Sequence, residues 1–276
     1  MSSDLPIIIS VPHGGEVIAP EMKDRTLLSR EDIFSDGDPL TRKIYNFRKE
    51  VAFYFESTIA RATVDLNRPP DDLPPLNKDG VVKSHTVTGK GIYRKNRIPA
   101  KDTLRMLLKK YYTPYHERLR KKSRKPNLFC GIDCHTMLDR APVISDQPGR
   151  QRPFICLSNR GDHQGNRVMG RRLTCPPEMI RSLALCLKEQ FPEEGDNITL
   201  NDPFLGGYIT RSHSHYLPWI QIELNRRAYL DEKWFAPQNL QVCNKRIDHL
   251  RHMILAAIHN FVQYNHLTHS LEIKVA

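Results

Sequence analysis

IIISVPHGGE, residues 7–16, runs from three isoleucines through Ser10, Val11 and Pro12 into a histidine, two glycines and a glutamate. A run of β-branched residues bounded by Pro and Gly predicts a core strand over Leu5–Val11 that turns sharply at the edge of a sheet. The glycines permit close backbone approach, and His13 and Glu16 carry side chains of metal-binding type. Chemistry is therefore expected where the strands end.

Outward from this stretch, further strands are expected at Ala62–Leu66, Leu128–Cys134, Pro153–Leu157, Gly207–Thr210 and Trp219–Leu224. Helical periods cover Leu40–Ser57, Lys101–Lys121, Pro176–Gln190 and Leu240–Tyr264. The alternation describes one α/β domain over residues 1–276, a central sheet layered between helices, with residues 266–276 as a weakly patterned, loosely held tail. Pro69–Arg97 is rich in Pro, Asp, Asn and Gly and too long for an ordinary connection, which marks it as functional or disordered.

A chain of 276 residues has ample material for a core without disulfides. Its six cysteines include no CxxC pair, and no secretory pattern precedes Ile7, so a reducing cytosol is the expected setting. No apolar run is long enough to span a bilayer. The net charge of +11 raises the question of nucleic acid. The basic residues are dispersed, however, and the one cluster, RLRKKSRK at 118–125, follows an amphipathic helix and reads as its solvated C-terminal end. A nucleic-acid partner is not expected, and oligomeric state is not encoded in any pattern here.

Three more constellations carry chemistry. In GIDCHTM (131–137), Asp133 and His135 lie two apart on a strand and share a face, so the carboxylate can orient the imidazole, while Cys134 faces away. In VDLNRPPDD (64–72), Asn67 and Arg68 precede the long loop; the guanidinium fork matches a carboxylate, although a turn with a surface ion pair uses the same residues. In WIQIELNRR (219–227), Ile220, Ile222 and Leu224 alternate with Gln221 and Glu223, so Glu223 turns to the opposite face as a solvent-facing residue or a general base. His116 is expected to pack or hydrogen-bond within its helix, and His213 and His215 to sit in a polar loop.

In this order His-x-x-Glu, Asp-x-His, Asp-Leu-Asn-Arg and Ile-Glu-Leu resemble zinc-dependent amidohydrolases related to carboxypeptidases, aspartoacylase and succinylglutamate desuccinylase. SVPHGG, SDGDPLTRKIYNF, VDLNRPPDD, YYTPYHERL, GIDCHTM, GGYIT and IQIELNR are more closely similar to the N-formylglutamate amidohydrolase family, over roughly residues 6–230. The resemblance implies a phosphorylase/hydrolase-like fold and one Zn2+ per chain. It makes His13 and His135 ligands, with Glu16 as the carboxylate ligand by spacing, Asp38 next and Asp36 third. Asn67 and Arg68 would hold the substrate carboxylate, Arg61 would polarise the acyl oxygen, and Glu223 would be the general base. Tyr93 and Arg94 of the long loop would shape specificity.

The activity implied is hydrolysis of the amide of a small N-acyl acidic amino acid, above all N-formyl-L-glutamate. The same groups would serve a zinc peptidase or deacylase of another small amide. A basic nucleic-acid-binding protein with structural histidines is the non-enzymatic alternative.

Overall fold

The isoleucine run forms β1 (Leu5–Val11), flanked on both sides by parallel neighbours, β2 (Val51–Glu56) and β3 (Cys130–Met137). Two covered faces and two paired edges explain why this strand is nearly all apolar. The computed structural model describes residues 4–74, 76–143 and 145–275, with side chains through residue 265. Beyond β3 the sheet continues with β4 (Ile155–Ser158), β5 (Ile198–Leu200) and β6 (Trp219–Asn225), in the order β2-β1-β3-β6-β4-β5. β4 runs antiparallel to β6 and parallel to β5, so the sheet is mixed. A two-stranded hairpin, β7 (Phe235–Ala236) and β8 (Gln241–Val242), lies apart from it.

The helices are α1 (Arg30–Asp36), α2 (Thr41–Ile44), α3 (Lys101–Leu107), α4 (Thr113–Ser123), α5 (Pro177–Gln190), α6 (Tyr208–His213), α7 (Arg227–Leu230) and α8 (Asn244–Val275). A single π-helical stretch, Leu108–Tyr112, joins α3 to α4. Pro114 follows it and has no N–H for the preceding turn, which removes one helical bond and accommodates the wider winding. Tyr112, Tyr115 and Leu119 pack with Ile8 and Trp219 on one face of the sheet. Residues of α5 and α8 cover the other face, against Ile9, Val11, Ile132, Ile222 and Leu224. Three layers result, as the strand and helix alternation predicts.

Several elements depart from expectation. Leu40–Ser57 is not one helix: α2 ends at Ile44, and Val51–Glu56 pairs with β1. Its sequence VAFYFE is β-branched and aromatic, and the open edge of β1 supplies the ladder that overrides the helical period. Ala62–Leu66 is a turn, in which the Thr63 and Val64 amides both donate to the Ala60 carbonyl. Its apolar residues are buried without a strand partner. Gly207–Thr210 opens α6 instead of a strand, because the Asn67 side-chain carbonyl oxygen accepts from the Ile209 amide at 2.8 Å and supplies the cap from a remote loop. The backbone of α8 runs through residue 275, and the side chains of the expected tail lie outside the described residues. Among the described residues no helix is long and apolar enough to cross a membrane.

The topology fixes where a site can form. The chain leaves β1 for β2 on one side and returns to β3 on the other, so a crevice opens above the carboxyl ends of β1 and β3. The end of β6 and the start of β4 lie beside it on the same rim, since Ile155 of β4 stands opposite Leu224 of β6.

Candidate metal centre and catalytic cleft

One face of the sheet becomes polar as it approaches this rim. Ser10 stands beside Asp133, Asp133 beside Gln221, and His135 beside Glu223, all buried. Period-two alternation forces these side chains to one face while Ile9, Ile132 and Ile222 take the other. The Tyr115 hydroxyl lies 2.9 Å from Ser10 Oγ, which donates to Asp133 Oδ1 at 2.7 Å. His135 Nε2–H donates to Asp133 Oδ2 at 2.8 Å. Nε2 has one proton to give, so the Asn67 Nδ2 found 3.1 Å away is a contact rather than a second bond.

His13 follows β1 at the turn. Gly14 and Gly15 are required there because a Cβ on Gly14 would lie 2.5 Å from Thr41 Oγ1, and one on Gly15 2.4 Å from the Ile59 carbonyl. The close approach expected at these glycines is thus made by neighbouring chain. His13 Nε2–H donates to Asp65 Oδ1 at 2.7 Å. Asp38 arrives from the loop after α1, its amide donating to the His13 carbonyl at 3.0 Å. Arg226 steadies it, with Nη2 3.2 Å from Asp38 Oδ1 and Nη1 donating to the Ser35 carbonyl.

The consequence is a convergence of lone pairs. With both Nε2 protons committed to carboxylates, His135 Nδ1 sits 3.0 Å and His13 Nδ1 3.4 Å from the same oxygen, Asp38 Oδ2. Acceptors at such distances repel unless a proton or cation lies among them. Burial disfavours charge on His135, yet Asp133 and Asp38 prevail and raise its pKa well above the usual histidine value. Burial likewise works against the Asp38 carboxylate, but its bonds to His13 and His135 hold its pKa well below the ordinary range. His13, Asp38 and His135 offer three donor atoms within 4.8 Å of one another. Two imidazoles and a carboxylate, each imidazole oriented by a second carboxylate, fit a divalent cation of the zinc type with a place left for substrate or water.

These groups line a cleft of about 340 Å³ with Glu223, Gln221, Arg61, Asp65, Asn67 and Arg68. Burial pushes the Glu223 carboxyl up to about 7, against the opposing pull of His135. Gln221 Nε2 donates to Glu223 Oε1 at 2.8 Å, and Gln221 Oε1 in turn accepts from the Gly207 amide, so the carboxylate is held in one orientation. Arg61 Nε donates to Asp65 Oδ2 at 2.7 Å, and Arg68 Nη2 donates to Asp79 Oδ2.

A sequence model of the family described as N-formylglutamate amidohydrolase matches residues 5–230. The chain belongs to this family. N-formylglutamate deformylase of Pseudomonas aeruginosa is 28% identical over 240 residues, which cover 83% of this chain and 84% of that protein. The Pseudomonas putida enzyme of the same name is 25% identical over 239 residues, covering 83% of each. Among solved structures, the N-formylglutamate amidohydrolase of Ralstonia eutropha JMP134 superposes with a TM-score of 0.74 at 18% identity, covering 95% of this chain and 94% of that one. A gene product of Agrobacterium tumefaciens gives 0.59 at 14% identity, covering 92% and 89%. Both share the fold. Membership makes this chain a hydrolase of an amide bond.

Within this amidohydrolase, the residues singled out from sequence divide clearly. His13, His135, Asp38, Glu223, Arg61, Asn67 and Arg68 meet in the cleft. Glu16 does not: it is exposed and outside the donor cluster, because the chain turns after His13 to run beside Thr58–Ala60. Asp38, rather than Glu16, is the carboxylate that lies with the two histidines. Asp36 is buried, but its Oδ1 accepts from Lys83 Nζ and the Val87 amide, both at 2.8 Å, which pins the long loop rather than a metal. That loop contributes Asp79 and Val87 to the cleft. Tyr93 and Arg94 stand away from it, Tyr93 donating to the Lys83 carbonyl and Arg94 exposed.

His116 is bonded outside its helix, donating Nε2–H to the Leu66 carbonyl at 2.9 Å and lying 3.0 Å from His213 Nε2. His213 is buried on α6 rather than in a polar loop, and His215 is exposed beside Arg172. Burial pushes Cys134 well above the usual thiol value, so it is no nucleophile. The basic run lies partly on aromatic rings, with Arg118 over Phe55, Lys122 over Phe53 and Arg124 over Tyr216. Sequence reasoning passes over Asp65, Arg226 and Asp79. Asp65 has a signal, two residues before Asn67 in VDLNR, whereas Arg226 and Asp79 meet their partners only through the fold.

Proposed function

We propose that the chain is a zinc-dependent deformylase of a small N-acyl acidic amino acid, N-formyl-L-glutamate above all, releasing formate and the free amino acid. The observation that carries this reading is the convergence of His13 Nδ1, Asp38 Oδ2 and His135 Nδ1 in a cleft that Glu223 and Arg61 also line. These three side chains would hold the cation. When bound, Zn2+ supplies electrophilic polarisation of the acyl oxygen and lowers the pKa of water.

The protein groups do the rest. Glu223 accepts a proton from the water that adds to the acyl carbon, then returns it to the nitrogen as the C–N bond breaks. Its carboxyl near 7 is matched to both halves of that exchange at neutral pH. Arg61, fixed by Asp65, adds positive potential for the acyl oxygen. Asn67 and Arg68 receive a substrate carboxylate, Arg68 with the part of its fork that Asp79 leaves over. The six cysteines are all free and five are buried, which fits a reducing compartment such as the cytosol.

The test is release of formate and amine from N-formyl-L-glutamate, N-acetyl-L-glutamate and N-formyl-L-methionine, before and after chelation and zinc return. N-formyl-L-glutamate should be cleaved fastest, and activity should vanish with the metal and return with zinc. Unchanged turnover after complete chelation, or no cleavage of N-formyl-L-glutamate by zinc-loaded protein, overturns the reading.

A further inference from the structure

Four arginines line the cleft, and three have their charge matched inside it. Arg61 pairs with Asp65, Arg68 with Asp79, and Arg226 with Asp38. Arg152 differs. Among the described residues its guanidinium makes no ion pair or hydrogen bond, and its Nε is buried without a partner. The side chain rests on the Phe204 ring, its Cζ 4.9 Å from the centroid, which fixes the plane of the fork without using its N–H groups. Ser145 Oγ, another buried polar atom of the cleft lining, is also unpartnered. No ion pair joins Arg152 to Glu223, which attracts it from a distance while Arg226 repels it. Arg152 is half-buried, and burial lowers its pKa from the ordinary arginine value, so an unpaired guanidinium with a buried Nε is held here at a cost unless function retains it.

Its place in the fold separates it from the other cations. Arg61 and Arg68 come from the segment after β2, whereas Arg152 precedes β4, next to the end of β6. The two histidine ligands, His135 on β3 and His13 just past β1, fall between. A substrate whose amide lies over these ligands thus meets cationic groups on both flanks.

We propose that Arg152 is the receptor for a second carboxylate of the substrate, and so selects N-acyl amino acids with an acidic side chain over their neutral counterparts. This deepens the substrate reading above and rests on it. Arg68 takes one carboxylate and Arg152 the other, and Ser145 Oγ stands free to donate to the same anion. Phe204 orients the planar guanidinium for a two-bonded contact, which lysine could not reproduce.

The test compares wild type with Arg152→Met and Arg152→Lys, on N-formyl-L-glutamate and its neutral isostere N-formyl-L-glutamine. The Arg152 backbone, which donates to Asp139 and accepts from Asn225, is kept in both variants, and thermal melts check folding. In Arg152→Met the ratio of kcat/KM for the acidic over the neutral substrate should fall about 10- to 100-fold, mostly through KM, the worth of a charge-assisted hydrogen bond. Arg152→Lys should lie between. Equal losses on both substrates, or an unchanged ratio, overturn the assignment. Calorimetric binding of L-glutamate and L-glutamine needs no turnover and tests Arg152 independently of the reaction. Preference for glutamate in wild type that is lost in Arg152→Met supports Arg152 even if no formyl substrate is cleaved, an outcome that sinks only the deformylase reading. No such preference in wild type, or one retained in the variant, refutes Arg152 on its own.

Discussion

Asp65→Asn isolates the carboxylate that ties His13, of the proposed metal centre, to Asn67 and Arg61, of the proposed substrate side. Asp65 is fully buried, with Oδ1 2.7 Å from His13 Nε2 and 2.8 Å from the Asn67 amide, and Oδ2 2.7 Å from Arg61 Nε. Asparagine keeps the shape but offers one acceptor atom for these three donors. If its oxygen stays with His13 and Asn67, its NH2 faces Arg61 donor to donor. Breaking a buried pair in this way costs about 3–5 kcal/mol. Asp79, 3.8 Å from Arg61 Nη2, remains as partial compensation, so the loss should fall near the lower end, about 3 kcal/mol. His13 also loses the partner that fixes its tautomer, which weakens zinc roughly 10- to 100-fold. Urea unfolding of metal-free protein reads the first effect and competition with a chromophoric chelator the second. Adding Arg61→Met to Asp65→Asn should recover part of the stability, since the unmatched charge leaves with it. A single variant within about 0.5 kcal/mol of wild type, the usual range of neutral surface substitutions, and with native zinc affinity would refute the linkage.

Three further outcomes are expected. Asp38→Asn should lose bound zinc on dialysis while Glu16→Gln retains it, measured by elemental analysis; the reverse would return the ligand to Glu16. Glu223→Gln should keep its zinc and lose about 10²–10⁴ in kcat, with the acidic limb of the pH profile displaced; wild-type kcat in that variant would remove Glu223 from the chemistry. Burial holds His116 down to about 4 and His213 to about 3, so between pH 6.5 and these values the unfolded chain carries more protons and stability falls with acid. In His213→Gln the slope between pH 6 and 5 should be shallower by up to about 1.4 kcal/mol per pH unit, one proton's worth, and an unchanged slope would show that His213 is protonated in the native state.

What the sequence reveals depends on how local each cause is. β1, β3 and β6 are legible because their apolar periodicity is confined to one strand, and their polar residues follow from period two alone. β2 is hidden because VAFYFE sits in a window with helical spacing, and only the free edge of β1 decides between the two. The same distinction governs the site. His13 and His135 announce themselves at strand ends, but choosing between Glu16 and Asp38 requires knowing which way the chain turns after Gly15. Asn67 shows how a residue placed from sequence can carry a second duty that sequence does not show. It lines the cleft as expected, but its side-chain carbonyl oxygen caps α6.

The cap also explains why the cleft is assembled as a unit. Asn67 Oδ1 sets the start of α6, whose Gly207 amide donates to Gln221, which in turn holds Glu223. On the other side the Asn67 amide donates to Asp65, the partner of His13. A single loop residue therefore connects the orientation of His13, a proposed metal ligand, to that of Glu223, the proposed base, through bonds between buried and half-buried groups. Such networks are strong only when every member is satisfied, because a broken link leaves a desolvated polar atom. Asn67→Asp preserves the side-chain cap but replaces the NH2 beside His135 Nε2 with a second carboxylate oxygen, which would compete with Asp133 for its proton. The histidine can then turn its proton away from Asp133, and Nδ1 loses the fixed direction in which it faces Asp38. Asn67→Asp should for that reason impair zinc binding while the α6 cap survives. A variant with intact zinc affinity would mean that Asp133 alone determines the His135 tautomer.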